Sequence, residues 1–289
     1  MPMKLGLRIP DAMSRLPLAE VVSFATGAGL EVLDLPRFSP EAVRLCREHG
    51  LDIGSVDGVD TGRLISGDDA VREQAVQELL RQIETMAAND VNVLFLCLVP
   101  DDDRQTIARS LELFKNSFPT IAATCEASGV RIALEGWPGP PPFYHTLGYT
   151  PEVWRAMFEA VPSAALGLCF DPSHLVRLGI DYMRVLDEFK DRIVHCHGKD
   201  TALLSEAQYL YGHLPPALDV APEFSDGSWR YCIPGTGAVH WASVAFALEQ
   251  AGYEGCVSIE LEDARYDGSP EKERQGVRKA LWHLTQHFA

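Results

Sequence analysis

Short apolar runs and amphipathic stretches alternate from one end of the chain to the other, and this alternation restricts the fold more than any other feature. Strand-like runs occupy residues 5–9, 30–35, 51–56, 91–99, 130–134, 166–170, 193–196 and 257–261. Helix-like stretches stand between them at 18–28, 39–50, 71–87, 107–125, 151–160, 181–190 and 241–251, with a last one from 270. Three of the helices announce their start in the same way: Ser39-Pro40-Glu41, Thr150-Pro151-Glu152 and Ser269-Pro270-Glu271. Each puts a hydroxyl at the N-cap, proline at the first helical position and an acid in the positive first turn. Strands alternating with helices argue for a parallel sheet. Eight such units in 289 residues fit closure into a single (β/α)8 TIM barrel over 1–289. The rival, an open doubly wound sheet, gains no support, because no glycine-rich phosphate fingerprint follows the first strand.

Four of the apolar runs end in a polar group: Glu135, Asp171, His197 and Glu260. In a parallel barrel the C-terminal strand ends meet on one face, where active sites sit. Three carboxylates converging there would repel one another and shift their pKa values unless a cation compensates them. Oxygen-rich ligation with one imidazole suits Mn²⁺, Mg²⁺ or Co²⁺, and also Zn²⁺. His195 and His197 are read as lying on opposite sides of their strand, His197 as the ligand near the rim and His195 as a core or supporting group. His174, three residues after Asp171 in the loop Asp171-Pro172-Ser173-His174, is a candidate for metal or substrate.

The net charge of −16 opposes docking on phosphate backbones or anionic lipid, so nucleic acid and membrane surfaces are not expected partners. Seven cysteines scattered through apolar runs, with no CxxC pair, read as reduced thiols of a cytoplasmic protein. Met1-Pro2-Met3-Lys4 leads straight into the first strand without a secretory leader, and no uncharged run approaches the ~18 residues of a membrane span. Two long loops, 136–149 and 201–237, follow strands that end in candidate ligands, and loops of this length are commonly lids. Their aromatics Trp137, Tyr144, Tyr211 and Trp229 are expected to cover a small-molecule substrate, Trp137 among the groups that bind it. A homodimer is the default expectation for assembly.

Four segments carry a resemblance: Ala133-Leu134-Glu135-Gly136-Trp137-Pro138, Phe170-Asp171-Pro172-Ser173-His174, Val194-His195-Cys196-His197-Gly198-Lys199-Asp200 and Gly252-Tyr253-Glu254-Gly255-Cys256-Val257-Ser258-Ile259-Glu260. Together with Pro234-Gly235-Thr236-Gly237 ahead of Trp241, they resemble the sugar phosphate isomerase/epimerase family, built on the xylose isomerase-like TIM barrel. The resemblance implies one divalent metal ion, Mn²⁺ before Mg²⁺, Co²⁺ or Zn²⁺, held by Glu135, Asp171, His197 and Glu260. It implies that Glu135 and Glu260 are also the general acid/base pair, moving the proton next to a carbonyl of a small keto sugar or polyol derivative through an enediolate held by the cation. His174, Arg230 and Lys199 would bind substrate oxygens. Gly136-Trp137-Pro138-Gly139-Pro140-Pro141 lacks the further acid of the ketose epimerases, which keeps open a metal-dependent dehydratase or lyase acting on a keto-cyclitol or oxidised sugar. An endonuclease IV-like repair nuclease needs additional His on strands three and four, which have none here, and the acidic chain opposes DNA. A non-catalytic sugar-binding barrel would not need four convergent ligands.

Overall fold

The computed structural model describes residues 3–221 and 223–288. Met1 and Pro2, on which the reading of the N-terminus partly rests, lie outside the described residues. The strands are β1 (Lys4–Arg8), β2 (Val32–Leu35), β3 (Asp52–Asp57), β4 (Val93–Leu96), β5 (Arg131–Glu135), β6 (Leu166–Phe170), β7 (Ile193–Gly198), β8 (Asp200–Leu203), β9 (Trp229–Cys232) and β10 (Cys256–Glu260). The helices are α1 (Leu18–Ala28), α2 (Pro40–Glu48), α3 (Asp69–Ala87), α4 (Ile107–Ser128), α5 (Pro151–Ala160), α6 (Pro172–Leu178), α7 (Tyr182–Phe189), α8 (Ser205–Tyr211), α9 (Trp241–Gln250) and α10 (Pro270–Phe288). Eight parallel strands close in the order β1-β10-β7-β6-β5-β4-β3-β2, the expected (β/α)8 TIM barrel.

Local sequence explains most boundaries. Ser39 and Thr150 accept from the backbone N–H groups of Ala42 and Val153, satisfying donors that a helix start leaves free. The helix 107–128 runs through Pro119. Leu7, Leu33, Leu94, Ile132, Leu166 and Val257 are buried to 4% exposure or less and belong to one apolar core with the helices. Burying each such side chain stabilises by about 1.5–3 kcal/mol. A separate small cluster of Phe95, Ala133, Cys169 and Val194 lies within the strands, and the Phe95 ring is 5.3 Å from that of His197.

Two corrections concern the expected loops. Asp171-Pro172-Ser173-His174 is the start of a helix: Asp171 is the N-cap of α6, accepting from Ser173 N at 2.8 Å, with Pro172 at the first position. Asp-Pro-Ser is the same start signal as the three recognised above, with carboxylate in place of hydroxyl. The segment 201–237 is not wholly a loop. It contains α8 and most of an antiparallel ribbon in which Thr201 pairs with Tyr231 and Leu203 with Trp229. Asp200 fixes that ribbon. Its carboxylate accepts from Thr201 N at 2.8 Å, Val239 N at 3.0 Å, Gly235 N at 3.1 Å, Gly237 N at 3.3 Å and Trp241 Nε1 at 3.3 Å. A side chain at Gly237 would meet the Asp200 carboxylate at 2.2 Å, so only glycine lets the loop close on it.

Among the described residues no helix is long and apolar enough to cross a membrane. All seven cysteines are unpaired.

Candidate active site

The register of the barrel assembles the strand-end groups. Glu135 pairs with Cys169, which places it level with the strand that leads into Asp171. Ser258 pairs with His197, which leaves Glu260 one rung higher, beside its partner Arg8. His197 Nδ1 lies between the two glutamates, 3.3 Å from Glu135 Oε2 and 3.4 Å from Glu260 Oε2. His174, delivered by the first turn of α6, has Nε2 2.8 Å from Glu135 Oε1 and 3.3 Å from Asp171 Oδ2. Single ligand atoms of Glu135, Asp171, His174 and Glu260 all fall within 4.8 Å of one another.

Lys199 also reaches this centre. Its ammonium lies 2.5 Å from Glu260 Oε2, 3.2 Å from Asp171 Oδ2, 3.2 Å from Glu262 Oε2 and 3.3 Å from His174 Nε2. The Lys199 side chain is fully buried, and the carboxylate of Glu260 is the more open member at 17% exposure. Arg8 bridges outward, donating to Asp57 at 2.7 and 2.9 Å and lying 3.2 Å from Glu260 Oε1.

These close approaches are poorly aligned as hydrogen bonds. Both oxygens of Glu135, Asp171 Oδ2 and both nitrogens of His197 are buried without a hydrogen-bond partner. Buried polar atoms are normally partnered. Four of these atoms, the two Glu135 oxygens, Asp171 Oδ2 and His197 Nδ1, border one space and are left without partners there, while His197 Nε2 lies on the far edge of the ring. The charges tell the same story. Burial pushes Glu135 up, but His197 and His174 outweigh it and hold the carboxyl below its ordinary value. Burial likewise opposes ionisation of Glu260, and Lys199, His197 and Arg8 hold it well below the usual carboxylate range. His197 is driven the other way, its burial outweighed by Cys169, Glu260 and Glu135. Burial would also neutralise Lys199, but Asp171, Glu260 and Glu262 keep its pKa well above the ordinary lysine value. Glu135 and Glu260 are thus held towards their ionised forms by the positive groups beside them.

Glu135, Asp171, His174, Lys199 and Glu260 come together at this rim, and His197 adjoins them through Glu135 and Glu260. Arg230 and Trp137 stand apart from that cluster. Arg230 is half-buried on β9, its side chain without an ion pair or hydrogen bond among the described residues, and alternation turns it away from Tyr231, which faces His174. Trp137, two residues past Glu135, is half-buried with no described hydrogen bond. The expectation that His195 and His197 face opposite sides is overturned. Residues two apart on a strand return to the same face, and the two rings lie 5.2 Å apart, both beside Asp34.

The sequence reading missed Arg177, Tyr231 and Glu262. Tyr231 Oη is 2.6 Å from His174 Nδ1 and accepts from Arg177 Nη1 at 2.8 Å. Arg177 also donates to Asp226 at 2.7 Å and lies 4.0 Å from the centre of the Trp229 ring and 6.0 Å from that of Tyr144. Signals for two of them were present: Glu262 follows Glu260 by the strand period, and Arg177 follows His174 by three residues on what is now a helix.

Residues 20–287 of this closed parallel barrel match the family model described as xylose isomerase-like TIM barrel. The chain belongs to the xylose isomerase-like TIM barrel family. Within it, the chain is similar to the uncharacterized protein YfiH of Bacillus subtilis (strain 168), with 34% identity over 169 residues, covering 57% of this chain and 50% of YfiH. It is also similar to the inosose dehydratase of Lacticaseibacillus casei, with 26% identity over 143 residues, covering 48% of this chain and 46% of that enzyme. The chain thus spans about half the length of these curated relatives. A crystal structure of D-psicose 3-epimerase in the presence of D-fructose shares the xylose isomerase-like fold over 99% of both chains, with TM-score 0.74 and 15% identity.

Proposed function

We propose that this family member is a divalent-metal-dependent enzyme that isomerises or epimerises a small keto sugar or polyol derivative. The observation that carries the reading is the set of buried, unpartnered oxygen and nitrogen atoms of Glu135, Asp171 and His197 facing one space, with Glu260 at its rim. Three carboxylates and an imidazole fit a hard or borderline cation, with Mn²⁺ favoured and Mg²⁺, Co²⁺ or Zn²⁺ fitting the same donors. Glu135, Asp171, His197 and Glu260 would hold it, with His174 adjoining. Such a cation polarises a carbonyl and its neighbouring hydroxyl, which acidifies the C–H between them.

The remaining chemistry belongs to the chain. Glu135 Oε2 and Glu260 Oε2 both approach His197 Nδ1, so the two carboxylates border one space, in which a substrate carbon would have both within reach. Both carboxylates are held ionised and are ready to accept a proton. One takes the proton from carbon; its return from the opposite side inverts that centre, with no net change in oxidation state. His174, braced by Tyr231, and Lys199 present donors to substrate oxygens. Trp229, Arg177 and Tyr144 stand together beside them.

A second reading, dehydration of a keto-cyclitol or oxidised sugar, draws on Lys199. An ammonium 3.2 Å from Asp171 and in contact with Glu260 is an acid within reach of the same carbon framework. The first step is shared; hydroxide then departs with a proton from that acid, and the products are water and an enol. The similarity to an inosose dehydratase supports keeping this branch.

Incubation of the metal-loaded protein with candidate keto sugars and keto-cyclitols in deuterated water, followed by NMR, tests both. Exchange at the carbon beside the carbonyl with retention of all oxygens supports isomerisation, and loss of water supports dehydration. Absence of exchange with every candidate overturns the reading. Glu260→Gln is expected to abolish exchange while leaving far-UV circular dichroism unchanged.

A further inference from the structure

We propose that Asp34, at the end of β2, is a positioning residue for His197, fixing which ring nitrogen faces the cation. The inference rests on the metal reading above. Asp34 lies one layer below the site and is buried to 1% exposure. Its Oδ2 accepts from His195 Nε2 at 2.9 Å and lies 4.0 Å from His197 Nε2. On the other side of the His197 ring, Nδ1 faces Glu135 and Glu260. The two edges of one imidazole therefore meet two different surroundings: the ligand space at Nδ1 and the His195-paired Asp34 carboxylate at Nε2.

A separation of 4.0 Å is beyond a hydrogen bond, so the coupling is electrostatic. It still has a definite sign. A lone pair on Nε2 would face a buried anion, whereas an N–H there points its positive end at that anion. Asp34 thus favours the tautomer with the proton on Nε2, which leaves the Nδ1 lone pair free for a cation. Carboxylates that orient metal-binding histidines in this way typically change metal affinity by about 10- to 100-fold.

The surroundings preserve this carboxylate. Gly54 on β3 has no side chain, and a Cβ there would stand 2.2 Å from Asp34 Oδ1 and 3.0 Å from Cys256 Sγ. His195 is held from its far edge by Cys256, with Sγ 3.5 Å from Nδ1, so that its Nε2–H stays on Asp34. Asp34 Oδ1 has no hydrogen-bond partner, and Oδ2, the oxygen that approaches His197, is shared with His195.

The alternative is that Asp34 merely pairs with His195 to hold the core together. Two variants separate the cases, because D34N and H195Q both alter that pair while leaving a hydrogen-bonding group in it, but only D34N removes the charge facing His197. Zn²⁺ and Mn²⁺ dissociation constants are measured by chelator competition for wild type and both variants. D34N is expected to weaken binding about 10- to 100-fold, with H195Q staying within about threefold of wild type. Equal losses in the two variants, or no loss in D34N, overturn the proposal. If wild type binds neither cation, the metal reading itself fails, a distinct outcome. Should D34N not fold, a long-range ¹H–¹⁵N spectrum of Zn²⁺-loaded wild type decides: a protonated Nε2 on His197 supports the assignment, and a protonated Nδ1 overturns it.

Discussion

Asp200→Ala removes the acceptor shared by five N–H donors, and its cost follows from which of them water can reach. Gly235 and Gly237 are exposed and can turn to solvent, but Thr201, Val239 and Trp241 are buried to 7% exposure or less. A buried donor left without a partner costs about 1–3 kcal/mol, so three of them, offset by relief of the buried carboxylate, amount to about 3–5 kcal/mol. Asp200→Asn is milder. Its retained oxygen can still serve Thr201 and Val239, as Oδ1 does now, and only Trp241 among the buried donors meets an NH₂ instead. That loss is about 1–3 kcal/mol. Urea unfolding of the three proteins, monitored by fluorescence with the slope compared across variants, should give wild type above Asn above Ala. The asymmetry is the test. If Asn is as damaging as Ala, or Ala costs less than about 1 kcal/mol, the assignment of Asp200 as the clasp of the β8–β9 ribbon is wrong.

Three other outcomes are expected. Adding the bound cation at 100 times its dissociation constant stabilises the fold by about 2.7 kcal/mol, raising the thermal midpoint by about 4 °C for a chain of this length; no shift with Mn²⁺, Mg²⁺, Co²⁺ or Zn²⁺ in differential scanning fluorimetry argues against the site. Gly54→Ala drives a methyl to 2.2 Å from Asp34 Oδ1 and 2.7 Å from Val32 Cγ1 and should cost about 1–3 kcal/mol in the same urea assay. Asp263 is pushed up by burial but held below its ordinary value by Arg265 and the backbone N–H of Ile233. Its contribution is therefore present above the ordinary carboxylate pKa and lost as pH falls through the lowered one. The stability gap between wild type and Asp263→Asn should be widest near neutrality and close in acid, and a gap constant with pH refutes the reasoning.

What could be read in the chain, and what could not, divides along the range of the interactions involved. The barrel was legible because each unit repeats a local signal, an apolar run followed by a capped amphipathic stretch, and parallel closure follows from their order. Glu135, Asp171, His197 and Glu260 were legible because a strand end fixes where a side chain goes. The ribbon was not, because Thr201 and Tyr231 meet across 29 intervening residues through a carboxylate clasp that leaves no periodic trace. The α6 start was written as plainly as the other three, and reading it as loop hid the helix that puts Arg177 beside His174. The error over His195 had the largest consequence. Placing it on the lumen face reveals a second tier, in which Asp34 and His195 stand beneath His197 where a purely strand-end view sees only core. A barrel that must gather three carboxylates at its mouth needs the imidazole among them held in one tautomer. The strand period that carries the ligands to the rim also supplies, two residues earlier on β7, the group that engages the carboxylate suited to that task.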